Sequence, residues 1–434
     1  MDPVSLGIVG IFVLVFLFLL GMPIAFSMAI VGFVGFALLT DLNAAFTMLP
    51  RDFFEEFSSY PLSVIPMFIL MGTFASASGI SKRLYDTAHA WLGHWRGGLA
   101  IATIFACAGF GAICGSSTAT AAAMGQIALP EMRRYNYEDS FATGTVAAGG
   151  TLGILIPPST VMIIYGILTE QSIGKLFIAG IIPGILLSVF FAFTAYLVSK
   201  LQPDIAPVTQ PLPLKERIKR LSGILEIIIL FSLALGGLFL GWFSPTQAGA
   251  IGAAGALCIG LVKGQLKWDS FVSACKEGLR TSCMVIFIIS GATIFGHFMA
   301  VTRIPFLLAD FVETLPFSPL FILIIIMLIY FIGGFFMDSM ALIVLTVPIF
   351  YPVVVRLGFD PIWFGVIIVL LGEMGVLTPP VGVNVFVIKA IAQDVPLEKI
   401  FKGIIPFLIA LIVTAAFIVL IPELATFLPR YLVY

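Results

Sequence analysis

Two similar stretches of sequence, TLGILIPPS at residues 151–159 and MGVLTPPVG at residues 374–382, decide the fold of this protein. Each stretch places two adjacent prolines inside a long apolar segment. Proline lacks a backbone N–H donor, and the residue before it avoids the α region, so each pair predicts a break in a helix. Such a break exposes carbonyl groups and a helix N-terminus, which suit a cation and an anion respectively. A kink or short loop without a ligand is the alternative.

The composition is that of a helical membrane protein. Of the 434 residues, 60% are hydrophobic and 10% are charged, and the mean hydropathy is +1.14. A soluble domain would carry about 25% charged residues. The apolar segments are continuous and not alternating, which favours helices over a β-barrel. The net charge of −1 says nothing about nucleic acid, but the sequence has no basic, aromatic-interleaved patch, so nucleic-acid binding is not expected.

The proline pairs belong to an internal repeat. The two halves of the chain match at a constant offset of 222 residues, mostly at glycine, proline and serine. The matched pairs are Gly111 with Gly333, Ser117 with Ser339, Ala119 with Ala341, Pro130 with Pro352, Gly150 with Gly372, Gly153 with Gly375, and Pro157-Pro158 with Pro379-Pro380. At an offset of 220, Gly21 and Gly32 match Gly241 and Gly252. So many matches in one register indicate a duplicated unit.

The repeat defines the expected domain organisation. We expect a first repeat at 1–200, a hydrophilic linker at 201–222 that faces the cytoplasm, and a second repeat at 223–434. Each repeat is predicted to hold one re-entrant hairpin and one broken helix. The hairpins are expected at 98–134 and 317–356, and the broken helices at 138–170 and 361–391. The predicted fold class is therefore an all-α polytopic membrane protein built as an inverted repeat.

The distribution of basic residues predicts the orientation. Five true spans in each repeat would place the two repeats in opposite orientations. With the N-terminus outside, 17 of the 22 lysine and arginine residues fall on the cytoplasmic side, as the positive-inside rule requires. The chain opens MDPVSLGIV without a basic region, so we expect a first span and not a cleaved signal.

The hairpins carry the polar residues expected near the breaks. In GFGAICGSSTATAAAMGQIALPEM, residues 109–132, the polar tip is Ser116, Ser117 and Thr118. The matching tip of the second hairpin holds Asp338 and Ser339. Hydroxyls and carbonyls at such tips can bind a cation, but a stripe of small residues can also serve close helix packing.

Three ionisable residues lie in or beside apolar segments. Asp338 is expected near mid-membrane, where it would bind an ion or hold the tip, and an interfacial position is the alternative. Glu373 lies beside the second break and is either functional or a supporting or snorkelling group. His297 is interpreted as a packing histidine in preference to a proton carrier.

Two segments outside the hairpins also correspond between the repeats. LNAAFTMLPRDFFEEFSSY at 42–60 and GQLKWDSFVSACKEGLRTS at 264–282 mix charged and aromatic residues, as interfacial helices do. They are expected either to brace a fixed scaffold at the membrane surface or to be plain connecting helices.

In combination, these motifs resemble one known family over essentially the whole chain. The stretches GSSTATAAAMGQIALPEM, GGTLGILIPPS, FMDSMALIVLTVPIFYP and GVLTPPVGVN are similar to the large membrane subunit (DctM-like) of tripartite ATP-independent periplasmic (TRAP) transporters of the ion-transporter superfamily. The resemblance implies a secondary transporter and not an enzyme. It implies Na⁺-coupled import of a carboxylate, such as a C4-dicarboxylate or sialic acid, across the bacterial inner membrane by an elevator movement.

The resemblance also implies partners and site residues. The partners would be a small four-helix membrane subunit and a soluble periplasmic binding protein, expected as separate polypeptides, with the lipid bilayer around them. The Na⁺ sites would lie where each hairpin tip meets its broken helix, with no cofactor and no transition metal. The implied ion-binding residues are Ser116, Ser117, Gly150, Pro157, Ser159, Asp338, Ser339, Gly372, Thr378, Pro380 and Asn384. The substrate pocket is expected between Ser116, Thr118, Asp338 and Thr378.

Other functions remain as alternatives at this point. A stand-alone cation- or proton-coupled carboxylate carrier of the same superfamily would use the same fold. An ABC-type permease would need an ATPase partner, because the sequence has no P-loop. An intramembrane hydrolase would need a serine beside His297, and a channel would not concentrate its solute.

Overall fold

The structure, a computed structural model, describes residues 2–432, and these residues form only helices and loops. The first repeat contains ten helices within the described range. They are α1 Pro3–Leu19, α2 Ile24–Leu39, α3 Leu42–Ser58, α4 Val64–Ala77, α5 Ile80–Leu92, α6 Gly98–Cys114, α7 Ser117–Arg134, α8 Asp139–Leu155, α9 Thr160–Leu168 and α10 Ile173–Leu201.

The linker and the second repeat supply the remaining helices. They are α11 Leu214–Arg220, α12 Ser222–Phe231, α13 Gly237–Phe239, α14 Pro245–Val262, α15 Trp268–Thr302, α16 Ile304–Thr314, α17 Pro319–Gly333, α18 Ser339–Arg356, α19 Pro361–Gly375, α20 Val383–Ile391, α21 Leu397–Leu420 and α22 Glu423–Leu432. Seven helical segments are long and apolar enough to cross a membrane, or eight if the bent pair α3–α4 counts as one span. The predicted class, an all-α polytopic membrane protein with two hairpins and two broken helices, is confirmed.

Short polar residues and prolines set where many of these helices begin. The Asp41 carboxylate accepts a hydrogen bond from the Ala44 amide at 2.8 Å, and the Asp360 carboxylate accepts from the amides of Ile362 and Trp363. Ser244 forms a capping box with Gln247 at the start of α14. These side chains accept hydrogen bonds from the backbone N–H groups that a helix leaves unpaired in its first turn.

The two repeats interlock through their second and fourth helices. Helix α2 packs on α15, and its repeat equivalent α14 packs on α4. Gly32 and Gly252, paired in the sequence repeat, lie at these crossings: a Cβ at Gly32 would come 2.7 Å from the Phe295 backbone, and one at Gly252 would meet Met71. Small residues at both positions let the backbones approach, as in other membrane helix pairs.

Helices α1–α4 and α12–α15 form one bundle, here called the scaffold, and α6–α10 with α17–α22 form a second, here called the core bundle. Hydrogen bonds join the repeats inside each bundle. In the core bundle, Ser140 Oγ donates to the Lys399 carbonyl at 2.8 Å, and Tyr165 OH donates to the Pro361 carbonyl at 2.6 Å. In the scaffold, Thr293 Oγ1 donates to Glu56 at 2.7 Å.

The boundary between the two bundles has a different character. Among the described residues, no hydrogen bond or ion pair joins residues 2–77 or 222–302 of the scaffold to residues 98–201 or 319–432 of the core bundle. The contacts there are apolar, such as the edge-on pair of Phe68 and Phe177 with ring centroids 5.6 Å apart. The boundary is therefore held by packing alone.

An ion cluster around the buried Glu226 carboxylate ties the connecting helix α5 to the scaffold. Arg83 contacts Glu226 at 2.6 Å and Gln265, and its Nη1 donates to the Ser78 carbonyl at 3.0 Å. Lys263 lies 3.3 Å from the other Glu226 oxygen. These residues join the ends of α4, α12 and α14 on the side where the sequence predicts most of the basic residues, called the basic face below.

The structure corrects the expectation for segment 264–282 and shows what His297 contacts. The segment 264–282 is not a separate surface helix: α15 runs unbroken for 35 residues from Trp268 to Thr302, whereas α3 and α4 bend by 55°. Pro61 at the start of the α4 region has no counterpart in the second repeat, which explains the continuity. His297 Nε2 lies 3.2 Å from Asp52 Oδ2, so this histidine joins α15 to α3.

The ion cluster yields a stability prediction. Arg83→Ala should lower the stability of the protein by about 3 kcal/mol, because it leaves the buried Glu226 carboxylate with Lys263 alone. Lys82→Ala is the matched control on the same helix, since the Lys82–Asp86 pair is exposed and is expected to contribute little. Thermal unfolding of the purified protein in detergent checks both variants, and equal melting temperatures for the two would contradict this assignment.

Candidate cation and substrate site

The first hairpin tip meets the first proline break directly. Gly115 and Ser116 connect α6 to α7 at the tip, and the break spans residues 156–159 between α8 and α9. The Gly115 carbonyl accepts hydrogen bonds from the backbone N–H of Thr160 at 3.3 Å and from its hydroxyl at 3.0 Å. Gly115 has φ +66, and a Cβ there would lie 2.8 Å from the Pro158 carbonyl oxygen. Only glycine fits both the backbone conformation and the close approach.

Serine hydroxyls close the helix ends at this first junction. Ser159 Oγ accepts from the Met162 amide at 3.2 Å, and Ser116 Oγ accepts from the Ala119 amide at 3.4 Å. Ser116 Oγ also lies 3.2 Å from Thr118 Oγ1. Both α7 and α9 thus point their N-termini at one polar junction inside the core bundle, as expected from the sequence.

The second junction also pairs a hairpin tip with a proline break, but no hydrogen bond among the described residues joins the two. The tip spans residues 334–338 between α17 and α18, and the break spans residues 376–382 between α19 and α20. Thr378 Oγ1 donates to the Met374 carbonyl at 2.6 Å, and Asn384 N–H donates to the Val376 carbonyl at 3.2 Å. No hydrogen bond among the described residues joins segment 335–338 to segment 376–382.

The matched serines and glycines pack the hairpins onto the broken helices. A Cβ at Gly150 would lie 3.0 Å from the Ser117 carbonyl oxygen, and a Cβ at Gly372 would lie 2.9 Å from Ser339 Cβ and Oγ. The repeat pairs Ser117–Gly150 and Ser339–Gly372 therefore lie at corresponding crossings of hairpin and broken helix. Gly372 leaves room for the Ser339 side chain, and Gly150 leaves room for the Ser117 carbonyl and for Ala121.

The caps of the two hairpins carry different charges. At the start of α18, Asp338 Oδ1 accepts from the Ala341 amide at 2.9 Å. Its counterpart at the start of α7 is the neutral Ser116. Since a helix N-terminus attracts negative charge, Asp338 already fills that role at α18, whereas the first turn of α7 keeps its positive potential.

A cavity of about 1040 Å³ lies between the hairpin tips and the scaffold. The tips contribute Ser116, Ser117, Thr118, Asp338 and Ser339 to its lining, and α15 contributes Glu277 and Thr281. Asp338 and Glu277 are the only charged residues in the lining that the structure describes. The lining parts of α4 and α15 are the halves nearest the basic face, so the cavity extends from the tips towards that face.

The predicted site residues divide between this cavity and the junctions behind it. Of the four residues expected to form the pocket, Ser116, Thr118 and Asp338 line the cavity, and Thr378 does not. The Thr378 hydroxyl bonds back to its own helix instead. Apart from Ser117 and Ser339, which line the cavity, the other predicted residues lie outside the lining. Pro380 is exposed in the second break, and the buried ones are Gly150, Pro157, Ser159, Gly372 and Asn384.

The structure gives contacts for Glu373, whose role the sequence left open, and it adds Thr120 and Thr160, to which the sequence assigned no role. Glu373 accepts a hydrogen bond from Ser339 Oγ at 2.9 Å, and Thr160 bonds the first tip. Thr120 Oγ1, Glu373 Oε2 and Asn384 Oδ1 are buried without a hydrogen-bonding partner. The internal repeat could have pointed to Thr160. At the offset of 222 residues Thr160 corresponds to Gly382, the last residue of the second break, so both residues lie where a break ends.

Gly115→Ala tests the first junction. The added Cβ should strain the backbone by about 1 to 2 kcal/mol and push the tip away from Pro158. Gly264→Ala is the matched control, because Gly264 has φ +64 but no atom within 4 Å of its Cβ position. Thermal unfolding should show a larger loss of stability for Gly115→Ala than for Gly264→Ala. Equal losses would mean that the close approach to Pro158 contributes nothing.

Comparison with known proteins identifies the family. The sequence profile described as "Tripartite ATP-independent periplasmic transporter, DctM component" matches residues 11–424. The chain is 39% identical to the C4-dicarboxylate TRAP transporter large permease protein DctM of Pseudomonas aeruginosa, over 87% of this chain and 88% of that protein. It is 32% identical to the sialic acid TRAP transporter large permease protein SiaM of Vibrio cholerae, over 94% and 95% of the two chains.

The fold is shared more widely than the sequence. The crystal structure of the Alcanivorax borkumensis YdaH transporter superposes with a TM-score of 0.65 at 15% identity, covering 90% of this chain and 88% of that one. At that identity the likeness concerns the fold alone. The family profile and the relatives confirm the resemblance read from the motifs. The chain belongs to the DctM family of TRAP transporter large permeases, and it is a multi-pass membrane transport protein and not an enzyme.

Proposed function

We propose that this protein imports a carboxylate solute through the cavity between the hairpin tips, driven by Na⁺ bound at the two junctions behind it. The observation that carries the proposal is that both tips, which come from opposite repeats, line one cavity of about 1040 Å³. Ions bound behind the tips would order them, and ordered tips would form the substrate pocket. Ion binding and substrate binding would then be coupled, because residues such as Ser116 and Asp338 belong to both the proposed ion sites and the cavity lining.

The chemistry of the junctions favours Na⁺ as the coupling ion. Na⁺ is a hard cation that prefers oxygen ligands, and the junctions offer hydroxyl, carbonyl and carboxylate oxygens. The Gly115 carbonyl, the Ser116 hydroxyl and the Asp338 carboxylate are within or beside them. The partnerless Thr120 and Asn384 oxygens add acceptors without donors. The ion-binding residues named from the sequence remain the candidate ligands.

The cavity supports a carboxylate substrate held without a basic side chain. The lining that the structure describes contains no lysine or arginine, so an anion must be held by hydroxyls, helix N-termini and bound cations. The N-terminus of α7, with Ser116, Ser117 and Thr118, is the favoured place, because Asp338 occupies that of α18. The relatives from Pseudomonas aeruginosa and Vibrio cholerae are named for C4-dicarboxylates and sialic acid, which both carry carboxylates.

The packed but unbonded boundary between scaffold and core bundle supports an elevator movement. Sliding one bundle along the other breaks no hydrogen bond or ion pair among the described residues of the two bundles. The hydrogen bonds inside each bundle join its two repeats, so each bundle can move as a unit. In this proposal α5 and α16 connect the moving and fixed parts.

The surroundings of the protein complete the proposal. With the N-terminus in the periplasm, as the distribution of basic residues predicts, the basic face would be cytoplasmic and the cavity would open inward. A periplasmic binding protein would deliver the substrate, and a small four-helix membrane subunit would pair with this chain in the bacterial inner membrane. The two partners and the membrane are those that the family implies.

Uptake into proteoliposomes tests the coupling. With the small subunit and the loaded binding protein present, an inward Na⁺ gradient should drive saturable, concentrative uptake of a labelled C4-dicarboxylate or sialic acid. Vanadate should have no effect, because no ATPase takes part. Uptake that persists after the Na⁺ gradient is collapsed would contradict Na⁺ coupling, and full uptake without a binding protein would favour a stand-alone carrier.

Asp338 variants test the second ion site. Asp338→Ala and Asp338→Asn should each raise the Na⁺ concentration for half-maximal uptake by at least about tenfold, since each removes a full ligand charge. The asparagine variant keeps a cap on α18 and so separates charge from helix stability. His297→Ala is the control, expected to keep its Na⁺ dependence because His297 pairs with Asp52 in the scaffold. Unchanged Na⁺ dependence in both Asp338 variants would exclude this residue.

A further inference from the structure

Glu373 is a buried carboxylate between the two hairpin tips. It lies on α19 next to Gly372 and has no solvent-exposed surface. Ser339 Oγ of the second tip donates to its Oε1 at 2.9 Å, and the Ser117 hydroxyl of the first tip also lies near the carboxylate. Its second oxygen, Oε2, has no hydrogen-bonding partner. One side chain therefore faces the matched serines of both repeats.

The repeat has a neutral residue at the position equivalent to this carboxylate. At the offset of 222 residues, Glu373 corresponds to Thr151, whose hydroxyl donates to the Ala148 carbonyl of its own helix at 2.6 Å. The threonine is neutral and its hydroxyl is satisfied. The same position in the second repeat carries an acidic group with a free oxygen, so the two repeats differ in charge there.

The charge of Glu373 also lacks a counter-charge. Among the described residues, no lysine, arginine or histidine comes within ion-pair distance of it. Glu226 provides the contrast, because this other buried glutamate is held by Arg83 and Lys263. A buried carboxylate without a counter-charge is costly, and a cation bound close by removes that cost.

We propose that Glu373 is a positioning and charge-balancing residue shared by the two cation sites. Its carboxylate orients Ser339 and stands beside Ser117, so it attracts the ions at both junctions and makes binding of one ion depend on the other. The inference rests on the proposed Na⁺ sites. It assigns to Glu373 no contact with the substrate.

This role predicts opposite effects on stability and on ion response. Glu373→Gln keeps an oxygen that can accept from Ser339 but removes the charge. Without Na⁺ the variant should be at least as stable as the natural protein, since a costly buried charge is gone. The increase in melting temperature that Na⁺ gives over K⁺ should be largely lost, and the half-saturating Na⁺ concentration should rise at least about tenfold, or about 1.4 kcal/mol.

The experiment compares melting temperatures of the purified full chain in Na⁺ and in K⁺ at equal ionic strength. Glu226→Gln is the matched control: it should lower the melting temperature in both salts and leave the Na⁺-induced increase intact. Glu373→Asp keeps the charge and should keep much of the Na⁺ response, even where the shorter side chain lowers stability.

The outcomes separate this inference from the proposed function. No Na⁺-induced increase in the natural protein would contradict the Na⁺ sites themselves. A normal increase in the natural protein and an equal increase in Glu373→Gln would overturn the role of Glu373. Loss of stability in both salts with an intact Na⁺ response would show a purely structural residue, which also overturns it.

Discussion

The contact between a hairpin tip and a proline break is the constraint on which the rest of the structure depends. In hydrocarbon every backbone polar group needs a partner, so a helix can break only where another polar element receives it. The Gly115 carbonyl receives the N–H and the hydroxyl of Thr160, which is how the first break is accommodated. Hairpin and broken helix therefore form a pair, and each would be unfavourable alone.

The second pair shows the same plan with more freedom. Its break is seven residues long, against four in the first, and the side chains of Pro379 and Pro380 are exposed where Pro157 and Pro158 are buried. The acidic residues Asp338 and Glu373 both belong to this second pair. A looser junction with more negative charge would depend more on bound cations for its order, so the two proposed sites would not be equivalent.

Much of this architecture could be predicted from the sequence. Both hairpins, both broken helices and their pairing followed from glycines, prolines and serines repeated at one offset, because these residues report on backbone geometry. The continuity of α15 and the short helices α16 and α22 did not follow. Helix α16 is short and α22 is strongly amphipathic with charged Glu423 and Arg430, so an inspection for apolar spans passes over both.

The contacts of single side chains were beyond the sequence for a different reason. The position of Glu373 beside two serines depends on how three helices pack. The boundary between the bundles is defined by the absence of hydrogen bonds and ion pairs among the described residues on its two sides. Neither leaves a periodic pattern. The hydrogen bond from the Thr378 hydroxyl to the Met374 carbonyl could not be predicted either, since a threonine before a proline pair can face either its own helix or the cavity.

Hydrogen–deuterium exchange of the purified protein in Na⁺ and in K⁺ reports on backbone order at each junction and so shows whether cations order the tips and breaks. We expect Na⁺ to slow exchange in four segments, namely residues 115–118, 156–160, 334–339 and 376–384, and to leave the scaffold helices unchanged. Equal exchange in the two salts at all four segments, or slower exchange throughout the chain, would contradict the claim that the paired tips and breaks are cation sites.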